Sequence, residues 1–120
     1  MAVFDDPADA TRAAFALRSR FEQDEDGLGV EVRISLNAGV CLAVNLNSRI
    51  DYFGHAVNIA AKLQELAGAA EVVLSEELAG ALGVADWLGE HAPPHELVEL
   101  RLKGVPEPIA ARRYPPRDAE

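Results

Sequence analysis

Apolar positions recur along this chain in two rhythms, and the switches between them predict its elements. From Pro7 the apolar positions Ala10, Ala14, Leu17 and Phe21 fall at helical spacing, with Asp6 placed as N-cap and Pro7 at the first helical position. The pattern predicts a helix to about Gln23, with Arg12, Arg18 and Arg20 on its solvated side. From Val30 the period becomes two: Val32, Ile34, Leu36 and Ala38 share one face and Arg33, Ser35 and Asn37 the other, which predicts a strand. Gly39 interrupts it and residues 40–46 are again extended, so the two runs are expected to pair as a hairpin. Residues 47–52 read as a polar loop. Residues 51–66, DYFGHAVNIAAKLQEL, read as a turn at Gly54 entering an amphipathic helix that buries Ile59, Ala60, Leu63, Leu66 and Ala67. After Gly68, residues 71–74 predict a short buried strand, and Ser75 caps a helix SEELAGAL with Glu76 and Glu77 in its first turn. Residues 83–94 have no clear period, although Trp87 and Leu88 read as packing residues. Residues 96–103 and 108–114 are extended about Gly104-Val105-Pro106-Glu107, a closing hairpin with Arg112 and Arg113 on its exposed side. Residues 2–4 resemble the end of a strand, and residues 115–120 a frayed tail.

Composition narrows the classes of function. A chain of 120 residues, 49% of them hydrophobic, suits a single domain (1–120, core 2–114) able to bury a real core. A formal net charge of -9 repels phosphate backbones and anionic membrane, which argues against non-specific nucleic-acid or membrane binding and favours solubility. Cys41 has no second cysteine to pair with, so a buried thiol in a reducing compartment is expected. No apolar run reaches the roughly 18 residues of a membrane span, and Asp5 and Asp6 do not make the basic start of a signal peptide. A cytoplasmic chain is the expectation. The acids of residues 24–29 do not fit the spacing of a calcium loop, and His91 and His95 flank two prolines with no third ligand, so no metal ligands are assigned.

One stretch carries the candidate chemistry. Asn58 and Lys62 stand at i and i+4, one above the other on a single face of the helix, and Asp51 lies just before its turn. An acid, an amide and an ammonium near a helix start suit a nucleotide: the acid reads a base amino group and the cation meets a phosphate. Blander readings stand beside this one. Asp is a common turn residue that bonds neighbouring backbone amides, and Lys62 suits a solvated helix face. Asn58, a mediocre helix former inside an alanine-rich helix, is less easily placed by propensity alone.

The succession VRISLNAGVCLAVNLNSRIDYFGHAVNIAAKLQELA, then EVVLSEEL, then LKGVPEPIAARRY, resembles the C-terminal two-thirds of a class III adenylate/guanylate cyclase catalytic domain. AVFDDPADATRAAFALR resembles the end of the preceding strand and the following helix, so the likeness covers residues 2–114. It implies an α+β fold: a truncated class III nucleotidyl cyclase domain, ferredoxin-like-related, with a mostly antiparallel sheet and helices packed on it. It also implies cyclic nucleotide biosynthesis in intracellular signalling, with ATP converted to cyclic AMP and pyrophosphate. By this resemblance Asp51 accepts a hydrogen bond from the adenine amino group, and Asn58, seven residues on, orients the ribose. Lys62 takes the place of an arginine that steadies the α-phosphate. Lysine keeps the charge but lacks the planar fork, which implies weaker transition-state stabilisation. Asn37 replaces a common histidine and receives no role. Lys103 and Gly104 match a turn that touches triphosphate in relatives, though a turn lysine is ordinarily solvated.

Relatives use two divalent ions, Mg or Mn, to activate the 3′-hydroxyl and neutralise the leaving pyrophosphate. By the resemblance, both metal aspartates and a base-reading lysine fall upstream of Met1. Asp5 and Asp6 follow the corresponding strand and read as a helix cap. Three functions are therefore open: a nucleotidyl cyclase, a non-catalytic nucleotide-binding or dimerisation module, and a half-site that completes a partner cyclase in trans. The isolated chain is expected to be inactive with ATP, to favour ATP over GTP, and to form a homodimer or a heterodimer with another cyclase chain through exposed strand edges.

Overall fold

Asp6 and Pro7 start the first helix as predicted. The Ala8 amide donates to Asp6 Oδ1 at 3.0 Å, and helix α1 runs Pro7–Glu22. The structure, a computed structural model, describes residues 3–22, 32–39, 42–46, 49–68, 70–91, 95–104 and 106–115. The buried face of α1 is rotated from the one expected. Ala8, Thr11, Ala14, Phe15 and Arg18 are buried, whereas Leu17 is 45% exposed. Arg18, expected in solvent, turns inward because backbone carbonyls await it: its Nη1 donates to Tyr114 O at 3.4 Å and to Pro115 O at 2.9 Å. Its guanidinium also lies 4.9 Å from the centroid of the Phe15 ring.

Strands β1 (Ile34–Leu36), β4 (Val72–Ser75), β5 (Glu96–Leu100) and β6 (Ile109–Tyr114) form one sheet in the order β1-β4-β6-β5. β1 runs parallel to β4, and the other pairs are antiparallel. Strands β2 (Leu42–Leu46) and β3 (Arg49–Phe53) make a separate antiparallel ribbon. This corrects two expectations. β1 and the following extended run do not pair with each other, and residues 49–53 are a strand where a polar loop was expected. A period-two pattern states that a segment is extended and not which segment it pairs with. Here β1 takes a parallel partner, and the β2–β3 ribbon and helix α2 (His55–Leu63) lie in the connection that such pairing requires.

β4 is buried at every position, as befits a central strand covered on both sides. On one face α1, α3 (Glu76–Ala79) and α4 (Val84–His91) bury Phe15, Leu78, Val84 and Leu88 against Val72, Leu74 and Tyr114. On the other, α2 buries Ile59 and Leu63 against Val73, Leu100 and Ala111. Ser75 caps α3 as expected, accepting from the Leu78 amide at 3.3 Å, although that helix stops at Gly80. Trp87 packs partly buried on the first core and meets Phe15 at 5.4 Å between centroids.

The β5–β6 hairpin is as predicted, but its arginines are not both on an exposed side. Consecutive strand residues face opposite ways. Arg112 Nε donates to Glu76 Oε1 at 2.7 Å, and Arg113 pairs with Glu96 across the hairpin and donates to Leu66 O at 3.4 Å. The carboxylate of Glu76, and after it the Tyr114 hydroxyl, holds the Arg112 guanidinium above its ordinary pKa; Glu96 does the same for Arg113. Among the described residues no helix is long and apolar enough to cross a membrane. Cys41, the acidic residues 24–29 and residues 116–120 lie outside the described residues.

Candidate functional site

Gly54 joins β3 directly to α2. Its φ of 145° and ψ of 168° lie where L side chains are strained, so a glycine belongs there. The helix closes its first turn when the Asn58 amide donates to Gly54 O at 3.1 Å. Asp51 therefore sits on β3, its backbone opposite Val44, three residues before the turn, and Asn58 sits four residues after it.

α2 divides its faces cleanly. Ile59 and Leu63 are buried, while Asn58 and Lys62 are exposed and one turn apart. Lys62 Nζ lies 3.6 Å from Glu65 Oε1, with both side chains more than half exposed. A surface pair of this kind is worth at most about 1 kcal/mol, so it leaves the ammonium able to meet an anion.

The back of α2 is held by polar contacts that hydrophobic patterning does not find. Asn37, assigned no role from the sequence, donates from Nδ2 to Ala56 O at 3.1 Å and accepts from Ser75 Oγ at 2.7 Å. Ser35 Oγ donates to Ala60 O at 2.6 Å, and Gln64 Nε2 donates to Arg33 O at 3.0 Å. The available signal was the alternation itself, which placed Arg33, Ser35 and Asn37 on one side of the strand. Gly39 lies so close that a Cβ there would stand 2.6 Å from Ala56 Cβ.

The other residues considered do not join this group. Lys103 is exposed beside Gly104, whose φ of 84° makes the turn. His91 stacks on Trp87 at 5.0 Å, whereas His95 meets Tyr114 at 5.1 Å. Among the described residues no three His, Cys, Asp or Glu side chains gather as a metal-binding group, so they do not fit a metal pair and no chemical step is assigned through one.

The family model for the adenylate and guanylate cyclase catalytic domain matches residues 10–104. Among solved structures, the adenylate/guanylate cyclase/hydrolase from Silicibacter pomeroyi is similar with a TM-score of 0.73 and 24% identity, over 94% of this chain and 63% of that one. The adenylyl cyclase CyaB from P. aeruginosa is similar at 0.58 and 20%, over 96% and 62%. The guanylyl cyclase Cya2 follows at 0.61 and 17%, over 97% and 61%. At these identities the likeness establishes the fold. The chain spans less than two thirds of each of these structures. No curated protein matches the sequence.

Proposed function

This chain belongs to the adenylate and guanylate cyclase catalytic domain family, and from that premise we propose that Asp51, Asn58 and Lys62 form the nucleotide-holding half of a cyclase site. The observation that carries the reading is the exposed pair Asn58 and Lys62, one turn apart on α2, directly following the strand that bears Asp51. Asp51 accepts from the adenine amino group, which favours ATP over GTP. Asn58 orients the ribose. Lys62 places one positive charge at the α-phosphate, where the 3′-oxygen attacks and pyrophosphate leaves as cyclic AMP forms. Lysine supplies that charge without the two parallel donors of a guanidinium.

In this reading the described residues supply the nucleotide half of a dimeric site, and a partner cyclase chain supplies the carboxylates that would hold Mg or Mn. β1 is an end strand of the described sheet, a position that suits such pairing.

Calorimetry with non-hydrolysable ATP and GTP analogues tests the binding claim. Preferential ATP binding that is lost in Asp51→Ala is expected; binding of neither nucleotide would leave a scaffold or dimerisation module as the better reading. Purified chain with ATP and manganese is expected to yield no cyclic AMP. Adding a partner cyclase that keeps its metal aspartates but lacks its own nucleotide half should restore product, and Asn58→Ala should remove it.

A further inference from the structure

We propose that Ser35 and Asn37 are positioning residues of the α2 site, setting where Asn58 and Lys62 stand by hydrogen-bonding the backbone of the helix that carries them. Three bonds join the chain around β1 to α2 and to the 3-10 turn, Gln64–Leu66, that continues it. Arg33 O accepts from Gln64 at 3.0 Å, Ser35 donates to Ala60 O at 2.6 Å, and Asn37 donates to Ala56 O at 3.1 Å. The partners advance two residues along the strand and retreat four along the helix. Two strand residues rise about 6.6 Å and four helical residues about 6 Å, so the rungs stay commensurate along the whole ladder. Sliding α2 by one residue would turn the Ala56 and Ala60 carbonyls, and the Gln64 side chain with them, about 100° away from their partners on the strand.

The row at 56, 60 and 64 is also the row opposite the site. Asn58 and Lys62 each follow a rung by two residues, which is about 200° around the helix. The ladder therefore grips α2 from behind and leaves the site face open, in keeping with the exposure of Asn58 and Lys62. Alanine at 56 and 60 leaves the carbonyls open to approach by side chains from the strand. The Asn37 amide is itself fixed, because its Oδ1 accepts from Ser75 Oγ, and Ser75 is buried and caps α3. Apolar side chains at 35 and 37 would bury similar area, but only directional bonds set both the rotation and the height of the helix.

The claim rests on the nucleotide reading of the site, and its test separates the two. Ser35→Ala, Asn37→Ala and Ser35→Thr are compared with wild type by titration with an ATP analogue and by amide hydrogen exchange. Both alanine variants are expected to exchange the amides of residues 58–63 about tenfold faster while those of β4 and β6 are unchanged, and to bind nucleotide about tenfold more weakly. Ser35→Thr keeps the hydroxyl and should recover both, and Glu77→Ala, exposed on α3, should alter neither. If Asn37→Ala does not fold, the Ser35 pair decides. Unchanged exchange in α2 overturns the proposal whether or not wild type binds nucleotide; so does faster exchange with undiminished affinity. Failure of wild type to bind, with α2 exchange still quickened, sinks the nucleotide reading and upholds the ladder.

Discussion

In the proposed nucleotide site Lys62 would offer one ammonium where a guanidinium would offer two parallel donors, which makes this residue the test of how firmly a phosphate is held. Lys62→Arg is expected to tighten binding of an ATP analogue several-fold, and Lys62→Ala to weaken it about tenfold or more; calorimetry at two salt concentrations would separate charge from geometry. Gly39 answers to packing. A Cβ there would stand 2.6 Å from Ala56 Cβ, and neither atom is the far end of a flexible chain. Gly39→Ala should cost about 1–3 kcal/mol in a denaturant titration, and Ala56→Gly should recover part of that loss. Arg18 is the buried arginine that patterning assigned to solvent. Replacing it with leucine strips the carbonyls of Tyr114 and Pro115 of a donor and is expected to destabilise by about 1–3 kcal/mol, whereas Arg12→Ala or Arg20→Ala should stay within about 0.5 kcal/mol.

At the scale of elements, the β5–β6 hairpin is tied to both layers by its two arginines. Arg112 reaches Glu76 at the start of α3, and Arg113 reaches Glu96 on β5 and the end of the α2 turn at Leu66. Both guanidinium groups are held above their ordinary pKa, by Glu76 and Glu96 first. A raised pKa in the folded state contributes stability that is fully present below the group's ordinary value, already far on the alkaline side for an arginine, and is lost only as pH climbs from there through the folded one. The stability lost in Arg112→Gln should therefore be the same at pH 7 and pH 10, as read from urea midpoints at the two values. The helix starts were legible because caps are local: Asp6 with Ala8 and Ser75 with Leu78 lie two and three residues apart. Strand partners were not, since β1 pairs with β4 across the whole β2–β3–α2 insertion while the nearer β2 pairs with β3.

The whole molecule presents β1 and β5 as the end strands of its described sheet. An uncovered end strand displays a row of backbone donors and acceptors, and a second chain can satisfy them. Sedimentation over a rising concentration series is expected to show a dimer; a clean monomer at the highest concentration would count against association through these edges.

By itself the sequence determined the spacing of Asn58 and Lys62, the entry glycine before them, the caps of α1 and α3, and the extended character of five of the six described strands. Each of these depends on residues within about four positions, where the backbone period fixes who faces whom. Tertiary structure decided the rest: that β1 lies parallel to β4, that Asp51 rides on a strand, that Arg18 turns inward, and that Asn37 braces α2. Asn37 meets Ser75 from 38 residues away and Arg18 meets Tyr114 from 96. A polar side chain reads as solvent-facing until the fold delivers a buried partner, and no local pattern announces a carbonyl arriving from the far end of the chain.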